Sequence, residues 1–347
     1  MSSSPEGKKI AIIGGAGFIG HNLALTLVER GADVEVIDGL EVNNLLYFSG
    51  RVPGIDNRHL YLRIIHQRLD LLEAADIPLH VQDARDYIAL SHLLNRIKPQ
   101  VIVHLAAVAH AGRSNKEPYS TFDHSLRTLE NAIDWSRDTV EQFIYLSSSM
   151  IYGNFTSGEV DEESALNPIG IYGALKFSGE KIVIAYQQVF DTPYTIIRPS
   201  ALYGERCVSR RVGQIFIENA LHGAALRVAG DGNEFLDFTH IEDFVDGICL
   251  AIGHPSAYNQ IFNLTYGSSR SINDLVNIMR QEFPEVKVEY AKRDRLMPKR
   301  GTLSVKKARQ LLGYAPKNPI DVGFPKYIAW YRELFKQIDL SKKPTAL

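Results

Sequence analysis

Residues 10–24 read "IAIIGGAGFIGHNLA", and this stretch decides the fold. Four apolar residues run into Gly14, Gly15, Gly17 and Gly20, after which "FIGHNLALTLVERG" repeats its apolar positions with helical period and stops on Gly31, a plausible C-terminal cap. A strand that turns through glycines into a helix brings backbone close to a ligand. The glycines permit a tight turn, close approach to a pyrophosphate and close packing of helix on strand, while the helix N-terminus offers amides and a positive dipole end. A glycine-rich turn alone is a weak signal; here it follows a strand, opens a helix and precedes a second strand, "ADVEVID", that ends in Asp38.

Working outward, "PLHVQD", "PQVIVHLAA", "EQFIYLSS" and "YTIIRP" are further runs rich in Val and Ile and nearly continuous in apolar character, as strands covered on both faces are. Helical patterns separate most of them. Strand alternating with helix predicts an α/β fold with a doubly wound parallel (Rossmann) sheet. The connection from Asp38 to Leu79 is long and contains "YLRIIHQRLDLLEAAD", which reads as an inserted helix. After Arg198 short strands such as "LRVAG" and "VKVEY" alternate with helices, predicting a smaller mixed α/β C-terminal lobe. The expected division is residues 1–198 for the dinucleotide domain and 199–347 for the substrate lobe, with 240–267, which holds "QIFNLTYG", able to return to the main sheet.

Composition narrows the class. With 347 residues and 45% hydrophobic content the chain can bury a substantial core. Its 38 Lys and Arg against 40 Asp and Glu argue against a nucleic-acid surface and against an anionic membrane as partner. Cys207 and Cys249 are too few for a disulfide scaffold and stand in no metal-ligand spacing, which fits a reducing compartment and predicts no metal. "MSSSPEGKK" lacks the apolar stretch of a signal peptide, and no run approaches the ~20 apolar residues of a membrane span, so a soluble cytoplasmic protein is expected.

Candidate site residues lie at the strand ends. Asp38 can accept hydrogen bonds from adenosine ribose hydroxyls and would repel a 2′-phosphate, which predicts NAD rather than NADP; the alternative is an ordinary turn residue. Asp83 and Ala84 in "VQDARD" either border the adenine or belong to a helix start capped by Asp83. Tyr172 and Lys176 in "IYGALKFSGE" fall four residues apart on one helical face. A partly buried helix with a snorkelling amine would look the same.

The ordered set "GGAGFIG", "HLAA", "LSSSMIYG", "IYGALK", "IIRPSALYG", "AGDG" and "FTHIEDFVDGI" resembles the extended branch of the short-chain dehydrogenase/reductase superfamily, specifically its nucleotide-sugar 4-epimerases and dehydratases, from about Lys8 to Phe335. The resemblance implies that Tyr172 transfers the proton, Lys176 partners it and Ser148 is the third catalytic member, with Ser147 or Ser149 as alternatives. It implies NAD held by the glycine turn (Gly14, Gly17, Phe18, Ile19, Gly20), by Leu105, Ala106 and Ala107 of "HLAA", by Pro199, and by Tyr172 and Lys176 themselves. A lysine ammonium and a positive nicotinamide would lower a tyrosine pKa from near ~10 and make it a usable base.

The implied substrate is a nucleotide-diphosphate sugar, oxidised at C4 to a 4-keto sugar that takes the hydride back on its opposite face. A C4 dehydrogenase, a 4-keto reductase or a 4,6-dehydratase is the alternative, and a non-catalytic NAD-binding protein is a further one. Dehydratases are expected to carry an acid pair after the catalytic hydroxyl, where this chain has Ser149 and Met150. Three more departures are His124 and Ala201 in place of Asn, and Leu236 in place of Arg. Compensating groups are sought in Arg206, Arg210 and Arg211 and in Arg293, Arg295, Lys299 and Arg300; a charge run can equally be a solvated surface. Ser149, His110, Arg113, His124, Arg206, Arg211 and Arg295 are taken as candidate substrate contacts. His124 is expected near Lys176, where it could relay a proton or simply pack. The helix containing "STFDHSLRTLENAIDWS" and the one starting near Tyr172 are expected to form a homodimer.

Overall fold

The computed structural model describes residues 5–50, 55, 57–109, 111–293 and 296–337. Seven strands form the main sheet: β1 (Lys9–Ile13), β2 (Asp33–Asp38), β3 (Leu79–Val81), β4 (Val101–His104), β5 (Gln142–Leu146), β6 (Tyr194–Arg198) and β7 (Gln260–Asn263). Their order is β7-β6-β5-β4-β1-β2-β3 and every pairing is parallel. The order reverses between β1 and β4, so a crevice opens outside the carboxyl ends of those strands. The continuous apolar runs have their cause here, because every residue of β4, β5 and β6 is buried beneath helices on both faces.

The helices that matter for the site are α1 (Phe18–Glu29), α2 (Arg58–Ala74), α3 (Tyr87–Ile97), α4 (Thr128–Trp135), α5 (Gly170–Phe190), α6 (Val212–Leu221), α7 (Ile241–Ala251) and α8 (Ile320–Gln337). α1 ends as expected: Gly31 takes φ +80°, a conformation that costs glycine nothing. α3 is capped by Asp86, whose carboxylate accepts from the Ala89 N–H at 3.0 Å. The Asp83 cap is thereby corrected, since Asp83 instead accepts from the Arg85 N–H and guanidinium. A turn of π-helix, Asp123–Arg127, runs into α4.

The insertion between β2 and β3 does fold as a helix, α2, whose Leu72 joins the core of the main sheet while its first turns lie in a second core. Its Leu60, Tyr61, Ile64 and Ile65 share a core with Phe216 and Ile217 of α6 and Tyr327 and Tyr331 of α8. Glu218 ties this junction, accepting from Asn57 (2.8 Å), Tyr61 (2.7 Å), Gln214 (2.7 Å) and Tyr331 (3.0 Å). The C-terminal lobe is mixed: Leu226–Ala229 pairs parallel with Val288–Ala291, and Phe235–Leu236 pairs antiparallel with Arg270–Ser271. Buried Asp237 joins its segments by accepting from Thr265 Oγ1 and from the N–H groups of Gly267 and Leu303.

Candidate active site

The crevice at the reversal of strand order holds an open cavity. Gly14, Gly17, Phe18, Ile19 and Gly20 line it from the α1 side, Asp38 from the end of β2, Asp83 and Ala84 from the end of β3, and Leu105, Ala106 and Ala107 from the end of β4. The glycines are required by distance. A Cβ on Gly14 would stand 2.7 Å from the Ala106 nitrogen, and one on Gly20 would stand 2.4 Å from Gly15 Cα. Gly17 caps α1 without any side-chain bond to the first-turn amides, leaving that helix start to a ligand in the crevice. These residues fit a dinucleotide. Asp38 is half-buried and partly engaged by the protein itself, accepting from the N–H of Ala16 (3.0 Å) and of Leu40 (2.7 Å). Burial raises its pKa despite those bonds.

A second cavity adjoins the first, sharing Ile19, Ala109, Leu202, Ser209 and Arg211. Ser147, Ser148 and Ser149, at the end of β5, and Tyr172, on the first turn of α5, line it. Ser148 Oγ accepts from the Met150 N–H at 3.2 Å and hydrogen-bonds Tyr172. Burial raises the Tyr172 pKa, while the charge of Arg211 and the bond to Ser148 pull it down. Lys176 lies one turn below, lining neither cavity, with Nζ donating to the Leu146 carbonyl at 2.6 Å and standing 5.0 Å from the centre of the Tyr145 ring. Burial brings its pKa down to about 7, against an upward pull from Glu180.

The expected substrate contacts divide. Ser149 and Arg211 line the second cavity, as do Ala201 and Leu236, the two departures. Pro199, expected at the cofactor, lines the second cavity. Arg206 lines neither cavity: its guanidinium contacts Glu205 (3.1 Å) and His21 (3.3 Å). Arg113 also lines neither, lying 4.4 Å over the Tyr47 ring and bridging Glu117 at 3.0 Å. His124 lines the first cavity. Its Nε2 is 3.0 Å from Glu41, its Nδ1 is 2.8 Å from the Ser120 carbonyl, and Glu41 also accepts from Arg85 at 2.7 Å. His110 and Arg295 lie outside the described residues.

Sequence reasoning did not single out Glu41 or choose Arg300. Nothing in the residue order marks Glu41. Arg300 stood in the basic run, but only folding brings it, and not Arg293, to the second cavity. Burial and the nearby charge of Arg211 lower its pKa to about 10, and its Nε has no hydrogen-bond partner among the described residues.

A Rossmann crevice opening onto a cavity with a serine and tyrosine in contact, above a buried lysine four residues on, defines an enzyme of the extended short-chain dehydrogenase/reductase type. More particularly, the chain belongs to the NAD dependent epimerase/dehydratase family, whose model matches residues 10–265, and its cofactor is NAD. It is 28% identical over 335 residues to an uncharacterised UDP-glucose epimerase, YtcB, of Bacillus subtilis, covering 94% of this chain and 99% of the relative. It is 27% identical over 334 residues to a UDP-glucose 4-epimerase of Mycolicibacterium smegmatis, covering 92% and 97%. Among solved structures, the UDP-glucose 4-epimerase of Thermotoga maritima with UDP-glucose matches with a TM-score of 0.78 at 26% identity, over 94% of this chain and 99% of that one.

Proposed function

We propose that the protein is a nucleotide-sugar 4-epimerase acting through a 4-keto sugar. The observation that carries this reading is the charge of the second cavity: Arg210, Arg211 and Arg300 line it, and no Asp or Glu does among the described residues. Guanidinium groups suit the diphosphate of a nucleotide sugar. Elimination of a 6-hydroxyl needs a general acid, and the positions after Ser148 hold Ser149 and Met150, both buried. Dehydration is therefore disfavoured.

NAD bound in the first cavity supplies a hydride acceptor and donor at the sugar carbon. The chain's own residues do the rest. Tyr172 as phenolate removes the C4 hydroxyl proton as that carbon gives up its hydride, and returns the proton when the hydride comes back. Ser148 holds the reacting oxygen against Tyr172. Lys176 fixes the nicotinamide side of the site from beneath, and the residues of the crevice exclude water. The second cavity has room for the keto sugar to turn and offer its other face.

Residues 1–198, with 240–267, are assigned to cofactor binding and the rest of 199–347 to the substrate. A homodimer through α5 and the helix before it is part of the proposal, as is a cytoplasmic location; both cysteines are free and buried, which suits a reducing compartment. No helix among the described residues is long and apolar enough to cross a membrane. The test is product analysis by NMR with a panel of UDP- and dTDP-sugars. A C4 epimer is expected, and a 4-keto-6-deoxy product would replace this reading with a dehydratase.

A further inference from the structure

We propose that Arg68, a buried arginine of the inserted helix α2, binds the pyrophosphate of the dinucleotide and so ties that helix to the cofactor.

Arg68 is only 1% exposed, yet it lines the first cavity together with Gly17, Phe18 and Ile19 at the start of α1. A buried guanidinium ordinarily faces a carboxylate, as Arg198 faces Glu180 at 2.8 and 2.9 Å. Arg68 forms no ion pair among the described residues. Its Nε (2.9 Å) and Nη2 both donate to a neutral acceptor, the Arg206 carbonyl, which uses one edge of the planar fork and leaves Nη1 for another partner. Asp38 does not fill that role, because both its oxygens accept backbone N–H groups, from Ala16 and Leu40.

The other groups around Arg68 supply no negative charge either. Arg206 is paired with Glu205 at 3.1 Å and sends its Nε to His21 Nε2 at 3.3 Å. His21 Nδ1 donates in turn to the Gly17 carbonyl at 2.9 Å, an arrangement that needs a neutral imidazole. Burial and the charges of Arg68 and Arg206 lower the His21 pKa accordingly, and burial keeps the Cys207 thiol protonated. Arg68 itself stays charged at neutral pH, since burial brings its pKa down only to about 10. A buried cation without a counter-charge, beside a helix start whose amides no side chain caps, marks a place for an anion. In a dinucleotide laid along the strand ends, the anion brought to the first turn of α1 by the glycine turn is the pyrophosphate. Because α2 shares its core with α6 and α8, the bound dinucleotide then holds the inserted helix, and the core behind it, in place.

The test uses the whole protein stripped of cofactor and reads binding alone, by calorimetry, with NAD, ADP-ribose and adenosine as probes; adenosine is read by competition against ADP-ribose. ADP-ribose keeps the pyrophosphate without the nicotinamide, and adenosine has neither. Arg68→Met is expected to weaken NAD and ADP-ribose alike by at least about tenfold and to leave adenosine within about twofold, with Arg68→Lys falling between Arg68→Met and wild type. Equal losses on all three probes, the result of a merely structural Arg68 that misplaces the Arg206 segment, would overturn the proposal, as would an unchanged affinity for NAD. A loss confined to NADP, run as a fourth probe, would assign Arg68 to a 2′-phosphate and overturn it too. If Arg68→Met does not fold, as judged by circular dichroism, Arg68→Gln gives the same comparison.

Discussion

At the scale of single residues, the site depends on charges kept in places where burial opposes them. Tyr172 and Lys176 are both largely buried, and each is pushed toward its neutral form. Tyr172→Phe removes one oxygen from a packed helix; kcat is expected to fall at least about 100-fold while NAD remains bound, checked by steady-state kinetics and cofactor release. Lys176 sets a pH dependence of stability. Its folded pKa of about 7 lies below the unfolded 10.5, so below pH 7 both states carry the proton and the buried charge destabilises the fold in full. Between pH 7 and about 10.5 the folded state releases that proton first, and the penalty shrinks. Lys176→Met, stripped of cofactor, is therefore expected to be more stable than wild type at pH 6, by about 1 to 3 kcal/mol, with the gap closing as pH rises; urea unfolding across pH measures it. The sequence showed the spacing of these two residues but not their burial. Nor did it show the surroundings of His124, because the π-helical turn and Glu41, 83 residues away, come together only in the fold.

At the scale of elements, the strands of the main sheet were legible because they are buried on both faces and so carry unbroken apolar runs. Where the inserted helix would dock was not legible. α2 shows helical period, but its partners in α6 and α8 follow it by more than a hundred residues, and no local pattern records such a contact. Arg206 shows the same limit: its carbonyl accepts from buried Arg68 of α2, and its side chain turns to His21 of α1. The outer face of α5 carries an element-scale prediction. Ile171, Ala174, Ala185 and Val189 are exposed, together with Lys181, on a helix whose other side holds Tyr172 and Lys176. Exposed apolar residues at both ends of such a face suit a copy of itself. Ala185→Arg sets two charges facing each other across such a contact, and light scattering is expected to show a shift from dimer to monomer with the circular dichroism spectrum unchanged.

At the scale of the molecule, the crevice lies where the sheet, the inserted helix and the C-terminal lobe meet, so the cofactor acts as a common surface for all three. Arg68 of α2 and Leu202 and Arg211 beyond β6 line it together with the strand ends. An epimerase returns its hydride within one turnover, so nothing in the reaction requires the dinucleotide to leave, and binding at this seam stabilises the folded state in proportion to its tightness. Denaturing the purified protein is expected to release NAD or NADH in near-stoichiometric amount, and stripping it should lower the melting temperature. Asp38 is expected to decide which dinucleotide is retained. Its half-buried carboxyl lines the crevice at the end of β2, with both oxygens already accepting backbone N–H bonds. A 2′-phosphate there would bring a second negative charge into a poorly solvated place, a like-charge contact that costs several kcal/mol, whereas a ribose hydroxyl can donate to lone pairs the backbone leaves free. Asp38→Ala removes the repulsion together with the acceptor. The variant should lose affinity for NAD and narrow the preference over NADP by at least about tenfold, measured as the ratio of dissociation constants on stripped protein. An unchanged ratio would mean that Asp38 serves only to hold the turn at Ala16 and Leu40.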